Sequence, residues 1–258
     1  MDNTFYQTII TNLVIFLAGV GGGAVNSIAG GGTNFTFPAL LWMGVDPILA
    51  SSTSTVCLWP GQLLGGLAYR RTIAESPRHW LWLGIPAALG GFLGGWLLLR
   101  TPARLFDCLV PYLVLSGSVL LAIEPWLRAR LGIEMRTDSS LTVKICTYLA
   151  ITAVAIYGGY FGAGMGILML AALSFIGIGD IQRANAFKNI FASLLNLLAI
   201  IYFIYVDAIV WHAALYMILG ACLGGYFGGK LAGRIPAKTL RFLMAALGLI
   251  IGTYLFLK

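Results

Sequence analysis

Long apolar runs alternate with short polar stretches along the chain and divide it into ten segments. Eight segments have about 20–25 residues, which lets a helix cross a hydrocarbon core of about 30 Å. The other two have about 12 residues and are too short to cross. The pattern predicts an all-α polytopic membrane protein with eight full spans and two short re-entrant or broken helices. The predicted segments are 7–29, 33–44, 47–69, 79–99, 104–123, 141–163, 167–178, 181–203, 208–230 and 237–257.

Composition supports the membrane assignment. Apolar residues make up 59% of the chain and charged residues 10%, whereas a typical soluble domain has about 25% charged residues. A soluble core could not hide so much apolar surface with so few charges to cover it. This excludes a soluble enzyme, a disordered chain and a nucleic-acid module. The net charge of +7 does not indicate a nucleic-acid partner, because the basic residues sit in short loops between apolar runs.

The chain contains an internal duplication. A polar interruption at 124–144 leaves five segments on each side, so we expect membrane repeat 1 at 1–124, a cytoplasmic linker at 125–140 and membrane repeat 2 at 141–258. Residues 87–103 recur at 221–237, an offset of 134, with ten identities in seventeen positions. The repeated residues in the first copy are Ala87, Leu89, Gly90, Gly91, Gly94, Gly95, Leu97, Arg100, Pro102 and Ala103.

The basic residues predict the orientation of the repeats. If each short segment returns the chain to its starting side, five segments invert the second repeat. Thirteen of the sixteen Lys and Arg residues then lie on the cytoplasmic side; the exceptions are Arg100, Arg104 and Lys258. This matches the positive-inside rule. We therefore expect inverted repeats with both termini outside.

Glycine-rich breaks precede both short segments, at 19–34 and 158–166. Broken backbone at membrane depth is tolerated where protein or a watery cavity satisfies the freed amides. The N-terminus of a short helix after such a break favours an anion. The alternative is close helix packing through small residues. The candidate substrate-binding residues in this region are Asn26, Gly31, Gly32, Thr33, Asn34, Gly164 and Gly166.

Polar stripes at helical spacing mark the third and eighth segments. The first stripe is Ser51, Ser54, Thr55 and Gln62, and the corresponding second-half residues are Asn185, Lys188, Asn189 and Asn196. We expect the two stripes to face one cavity, and all of these residues except Thr55 are candidate binding residues. The alternative is hydrogen bonding between helices. For Lys188, a functional role and snorkelling to the cytoplasmic surface are both open.

The positions of the acidic residues and cysteines narrow the kinds of site that the chain could contain. All nine acidic residues lie near segment ends or in loops, which disfavours a cation site, and we expect Asp46 and Asp180 to cap helices. The four cysteines are scattered, so no metal site is expected. No catalytic motif is evident, so we expect neither catalytic residues nor a cofactor. The paired glycines of the duplicated motif predict tight contacts between the repeats, with a homodimer interface as the alternative.

Two motifs resemble the TauE/SafE family, also called the toluenesulfonate uptake permease family. The first half has the glycine-rich break, the short apolar segment and Ala-Ser-Ser-Thr-Ser at 50–54. The second half has Gly-Gly-Tyr-Phe-Gly-Ala-Gly-Met-Gly at 158–166 and Arg-Ala-Asn-Ala-Phe-Lys-Asn at 183–189. The resemblance covers nearly the whole chain. It implies a multi-pass permease of the bacterial inner membrane whose partners are the lipid bilayer and a small organosulfur or sulfite anion.

The resulting hypothesis is an anion permease with a midplane site between the repeats, working by alternating access. An anion channel and a permease for a non-sulfur organic anion are the alternatives closest to it. A membrane enzyme would need a buried nucleophile, base or metal cluster. A cation transporter would need mid-span carboxylates. A scaffold without transport would be stabilised by no anion.

Overall fold

The computed structural model describes residues 2–28, 31–130, 141–174, 181–231 and 237–257, and within these ranges the regular structure is helical. A 3₁₀-helix at Arg78–Leu83 precedes α5. The helices are α1 (Asp2–Ile28), α2 (Thr33–Trp42), α3 (Pro47–Ala68), α4 (Arg70–Ala74), α5 (Gly84–Arg100), α6 (Ala103–Arg130), α7 (Leu141–Tyr160), α8 (Met165–Ser174), α9 (Ile181–Tyr205), α10 (Trp211–Leu231) and α11 (Ala237–Leu257).

Each predicted apolar segment coincides with one of the long or short helices, so the all-α class is confirmed. Two local differences stand out. The loop predicted at 70–78 contains the short helix α4, and α6 continues beyond the predicted segment to Arg130, inside the predicted linker. Residues 131–140 of that linker and Asp180 lie outside the described residues. The Oδ1 atom of Asp46 accepts a 2.9 Å hydrogen bond from Ile48 N at the start of α3, which confirms the predicted cap there.

Large apolar side chains cover the outside of the helices, for example Leu17, Leu89 and Leu219, which are 55%, 61% and 62% exposed. Such a surface is stable when it faces lipid rather than water. By length and composition, four stretches of the described residues could each cross a membrane: Tyr6–Ser27, Arg78–Arg100, Ala103–Leu120 and Arg183–Tyr205.

The chain folds back at the first glycine break. Gly32, which precedes α2, packs directly against Gly22 within α1, and the ring of Phe35 lies beside Gly21. At the second break, Gly158 of α7 packs against the side chain of Met165, the first residue of α8. Each short helix therefore begins alongside the helix before it rather than continuing it.

The duplicated glycines bring the two halves of the chain into contact. α5 packs against α7 and α9, while α10 packs against α1 and α3. A methyl group at Gly94 would overlap the carbonyl oxygen of Ile156 on α7, and one at Gly224 would overlap that of Val20 on α1. The prediction that these glycines join the two halves is confirmed. Because each half contributes the glycine helix that the other half packs against, the two halves form one interlocked core.

Candidate functional site

An open cavity of about 490 Å³ lies where α3, α9 and the two glycine breaks meet. Its wall combines amide, hydroxyl and lysine side chains with backbone and a few apolar groups. No acidic side chain belongs to this wall as the structure describes it. The residues that line it are Asn26, Gly31, Thr33, Thr55, Leu58, Gln62, Gly158, Gly162, Met165, Gly166, Lys188, Asn189, Ala192 and Asn196.

The two glycine breaks approach each other at this cavity. A Cβ atom on Gly162 would lie 3.7 Å from the hydroxyl oxygen of Thr33. Gly31 and Gly162 have φ angles of 131° and 80°, which side chains with a Cβ rarely adopt. These φ angles favour glycine at both turns, and both glycines line the cavity with their backbone.

Local hydrogen bonds hold the first break in place and use some of its amides. Asn26 Oδ1 accepts a bond from Gly31 N at 3.5 Å. The backbone N–H groups of Asn34 and Phe35 donate to the carbonyls of Gly31 and Gly32 at 3.1 and 3.0 Å. Of the amides predicted to contact an anion around 31–34, those of Gly31 and Asn34 therefore already have partners within the protein.

The apolar side of α9 determines which of its residues face the cavity. Phe187, Phe191 and Leu195 follow one another at a spacing of four residues and are fully buried. The ring of Phe187 packs edge-on against Trp80 at 5.4 Å. With this face buried, Lys188, Ala192 and Asn196, each one residue further along, line the cavity together with Asn189. The lysine side chain is only 4% exposed.

Helices α3 and α9 are joined at equivalent positions of the two halves. Asn196 Nδ2 donates to Gln62 Oε1 at 2.6 Å, and Trp59 Nε1 donates to the carbonyl of Ser193 at 3.0 Å. Both bonds link residues that are 134 positions apart, which is the offset of the sequence duplication. Gln62 and Asn196 also line the cavity.

Several candidate residues lie outside the cavity wall. Ser51 donates to the carbonyl of Tyr160 at 3.3 Å, and Ser54 shares a 2.5 Å hydrogen bond with Thr36 of α2. The first-stripe serines thus bond between helices, which is the alternative stated for the stripe. Asn185 of α9 is also absent from the wall.

The remaining candidates outside the wall belong to the breaks. Gly32 packs on Gly22, and Gly164 packs on Gly117 of α6. Asn34 is 2% exposed, and among the described residues neither its Nδ2 nor its Oδ1 atom has a hydrogen-bond partner. Its Nδ2 atom lies near Gly248 of α11. Asn34 therefore points away from its neighbour Thr33, which lines the cavity.

Six lining residues were not among the candidates. Thr55 belongs to the predicted polar stripe, and Gly158 and Gly162 belong to the predicted second break, so the sequence carried a signal for these three. Met165 also lies within the predicted second break, whereas Leu58 and Ala192 are apolar and carry no sequence signal that separates them from core residues. Among the described residues, no three His, Cys, Asp or Glu side chains come together to hold a metal ion.

Comparison with known families identifies the chain. The profile described as "Sulfite exporter TauE/SafE" matches residues 15–255. The chain belongs to the TauE/SafE family. The resemblance of the two glycine-containing motifs is thereby confirmed, and TauE/SafE membership covers both halves of the duplication and every residue of the cavity wall.

Curated relatives of this TauE/SafE chain are named as probable membrane transporter proteins. A "Probable membrane transporter protein" of Haemophilus influenzae is 28% identical over 228 residues, covering 88% of this chain and 87% of the relative. "Probable membrane transporter protein ORF9" of a Sinorhizobium species is 27% identical, covering 89% and 86%. "Probable membrane transporter protein YfcA" of Escherichia coli K12 is 25% identical, covering 88% and 83%. No solved structure matches the chain significantly. Together with the apolar helices, these relatives indicate a multi-pass membrane transporter.

Proposed function

We propose that the chain is a permease or exporter for small sulfur-containing anions such as sulfite, sulfonates and sulfoacetate-like compounds. The anion would bind in the cavity between α3, α9 and the two breaks. The observation that carries this proposal is the composition of the cavity wall, which contains Lys188 and four side-chain amides and, among the described residues, no acidic side chain.

The wall suits the oxygen atoms of such anions. Sulfite and sulfonate oxygens accept hydrogen bonds, and the lysine ammonium and the amide N–H groups of Asn26, Gln62, Asn189 and Asn196 are donors. Hydrogen bonds to a charged group are stronger than those between neutral groups. The family description points to sulfite.

Transport would proceed by alternating access between two inverted repeats. Three observations support this arrangement: the duplication at an offset of 134, the crossing of α3 and α9 at equivalent positions, and the distribution of basic residues. The corresponding topology has eight spans and two short re-entrant helices. Both termini would lie on the outer side of the bacterial inner membrane, opposite the cytoplasm.

Flux measurements with purified protein in proteoliposomes test the proposal. We expect sulfite and small sulfonates to cross faster than in protein-free vesicles, with saturable kinetics and no unitary current. Flux of inorganic cations alone, or no anion flux, would contradict the proposal. Unitary currents would favour a channel, and flux confined to carboxylate anions would favour a permease for a non-sulfur substrate.

Two site variants and two controls assign the flux to the cavity. Lys188→Ala and Asn189→Ala should each reduce anion flux by at least tenfold. Arg104→Ala removes an exposed cation outside the cavity, and Asn12→Ala removes an amide that bonds to His212 at 3.1 Å. Both controls should transport like the wild type. Unchanged flux in both site variants would remove the site assignment.

A further inference from the structure

The Gln62–Asn196 hydrogen bond joins two equivalent positions of the duplicated halves. A two-fold operation that exchanges the halves moves Gln62 onto position 196 and Asn196 onto position 62. The pair is therefore mapped onto itself, which places it next to the two-fold axis. The nearby bond from Trp59 to the carbonyl of Ser193 obeys the same relation.

Contacts away from the axis behave differently. The bond from Ser51 to the carbonyl of Tyr160 maps onto Asn185 and Asn26, which are a different pair. In a transporter whose two states exchange the conformations of its repeats, such a contact must break and its counterpart must form. The Gln62–Asn196 contact can persist in both states, because its counterpart is the same contact.

The bond also determines what the pair offers to the cavity. Asn196 uses one Nδ2 hydrogen and Gln62 uses Oε1. This leaves both Nε2 hydrogens of Gln62 and the second Nδ2 hydrogen of Asn196, together with three carbonyl lone pairs, so the pair can donate up to three hydrogen bonds to an anion. Exchanging the oxygen and nitrogen of both amides gives the same count. Asn196 is 4% exposed, so its amide is held rather than solvated.

We propose that the Gln62–Asn196 pair determines specificity at the two-fold axis: it presents amide N–H groups to the anion and keeps this arrangement in both transport states. The inference rests on the proposed function, since it assigns a role within that site. Both residues contact the substrate, and each also orients the other.

An exchange of the two side chains is the sharpest test. Gln62→Asn alone makes the pair too short by one methylene group, and Asn196→Gln alone makes it too long. Each single variant should raise the KM for sulfite flux about tenfold. The double variant Gln62→Asn/Asn196→Gln restores the pair in reverse, and its KM should return to within about threefold of wild type. Asn12→Gln, which lengthens an amide outside the cavity, is the matched control.

A charge substitution separates contact with the anion from a purely structural role. Gln62→Glu retains an acceptor for Asn196 Nδ2 but places a negative charge beside the anion, so the KM should rise more than tenfold. A wild-type KM in this variant, or a double variant no better than the worse single variant, would overturn the inference. If wild-type protein transports no sulfur anion, the proposed function fails. In that case the unfolding temperature tests the pair. The double variant should unfold at a higher temperature than either single variant, and the absence of such a rise would overturn the inference.

Discussion

Helices α3 and α9 occupy equivalent positions in the two halves, yet their polar residues have different partners. On α3, Ser51, Ser52, Thr53 and Ser54 each bond to another part of the protein. On α9, Lys188, Asn189 and Asn196 line the cavity. One copy of the duplicated helix thus holds the fold together through its hydroxyl groups, while the other carries most of the charge and amide groups that could bind a ligand.

The difference follows from side-chain length and chemistry. Serine and threonine are short, and their hydroxyls reach carbonyls of closely packed backbone, such as that of Ala208 between α9 and α10 for Ser52. Lysine and asparagine extend further and bring several donors. A duplicated chain can therefore keep one scaffold and change only its polar residues, so that only one half supplies most of the ligand contacts.

Replacement of Lys188 on α9 by the residue found at the equivalent position of α3 should reduce anion flux more than any other change. Lys188→Ser places at this position the residue type found at the equivalent position 54. We expect anion flux to fall about 100-fold, because a charge-assisted hydrogen bond to the anion is lost. Lys188→Arg should retain more flux than Lys188→Ser.

The matched change on α3 is Ser54→Ala, measured in the same flux assay. It removes a hydroxyl that bonds to Thr36, so flux should stay within about threefold of wild type. Equal losses in Lys188→Ser and Ser54→Ala would contradict the division of roles between the two helices.

The neighbouring position should show a smaller effect. Asn189→Thr introduces the residue type of Thr55, which also lines the cavity but donates its hydroxyl hydrogen to Ser51 O at 3.0 Å. We expect the KM for sulfite to rise about tenfold with little change in maximal flux, because one donor to the anion is removed. Concentration-dependent flux measurements separate the two parameters. A change in maximal flux alone would argue against a contact with the bound anion.

The smallest effect on transport is expected when a hydroxyl that bonds α3 to the rest of the protein is removed. Ser52→Ala removes the buried hydroxyl that donates to the carbonyl of Ala208. Unfolding stability should fall by about 1–2 kcal/mol, with the KM for sulfite unchanged. Thr11→Val, which removes an exposed hydroxyl that bonds within its own helix, should leave both quantities unchanged. A raised KM in Ser52→Ala would contradict a purely structural role of the Ser52 hydroxyl.

The sequence predicted the helices well because apolar runs and their lengths report directly on lipid-facing elements. It also placed Thr33, Gln62, Lys188 and Asn189 near one another through the breaks and stripes. It could not predict the rotation of α3, since Ser51 and Ser54 share a helix face with Thr55 and yet bond to Tyr160 and Thr36. That rotation depends on packing against distant helices.

At the glycine breaks, too, the sequence could not predict which side chains face the cavity. Thr33 and Asn34 are adjacent in sequence, and the composition of the segment predicts both as binding residues. In the structure Thr33 lines the cavity, whereas Asn34 is buried and its amide has no hydrogen-bond partner in the part of the chain that the structure describes. Successive helical residues point about 100° apart, so only the position of α2 against α11 and the opposite break decides which of them faces the cavity.

Calorimetric titration of sulfite into purified protein tests the central claim most directly, namely that the α9 side of the cavity binds the anion. Wild type and the Ser52→Ala variant should bind with similar affinity, and Lys188→Ser/Asn189→Thr should show no measurable binding. Wild-type affinity in the double variant would contradict the account.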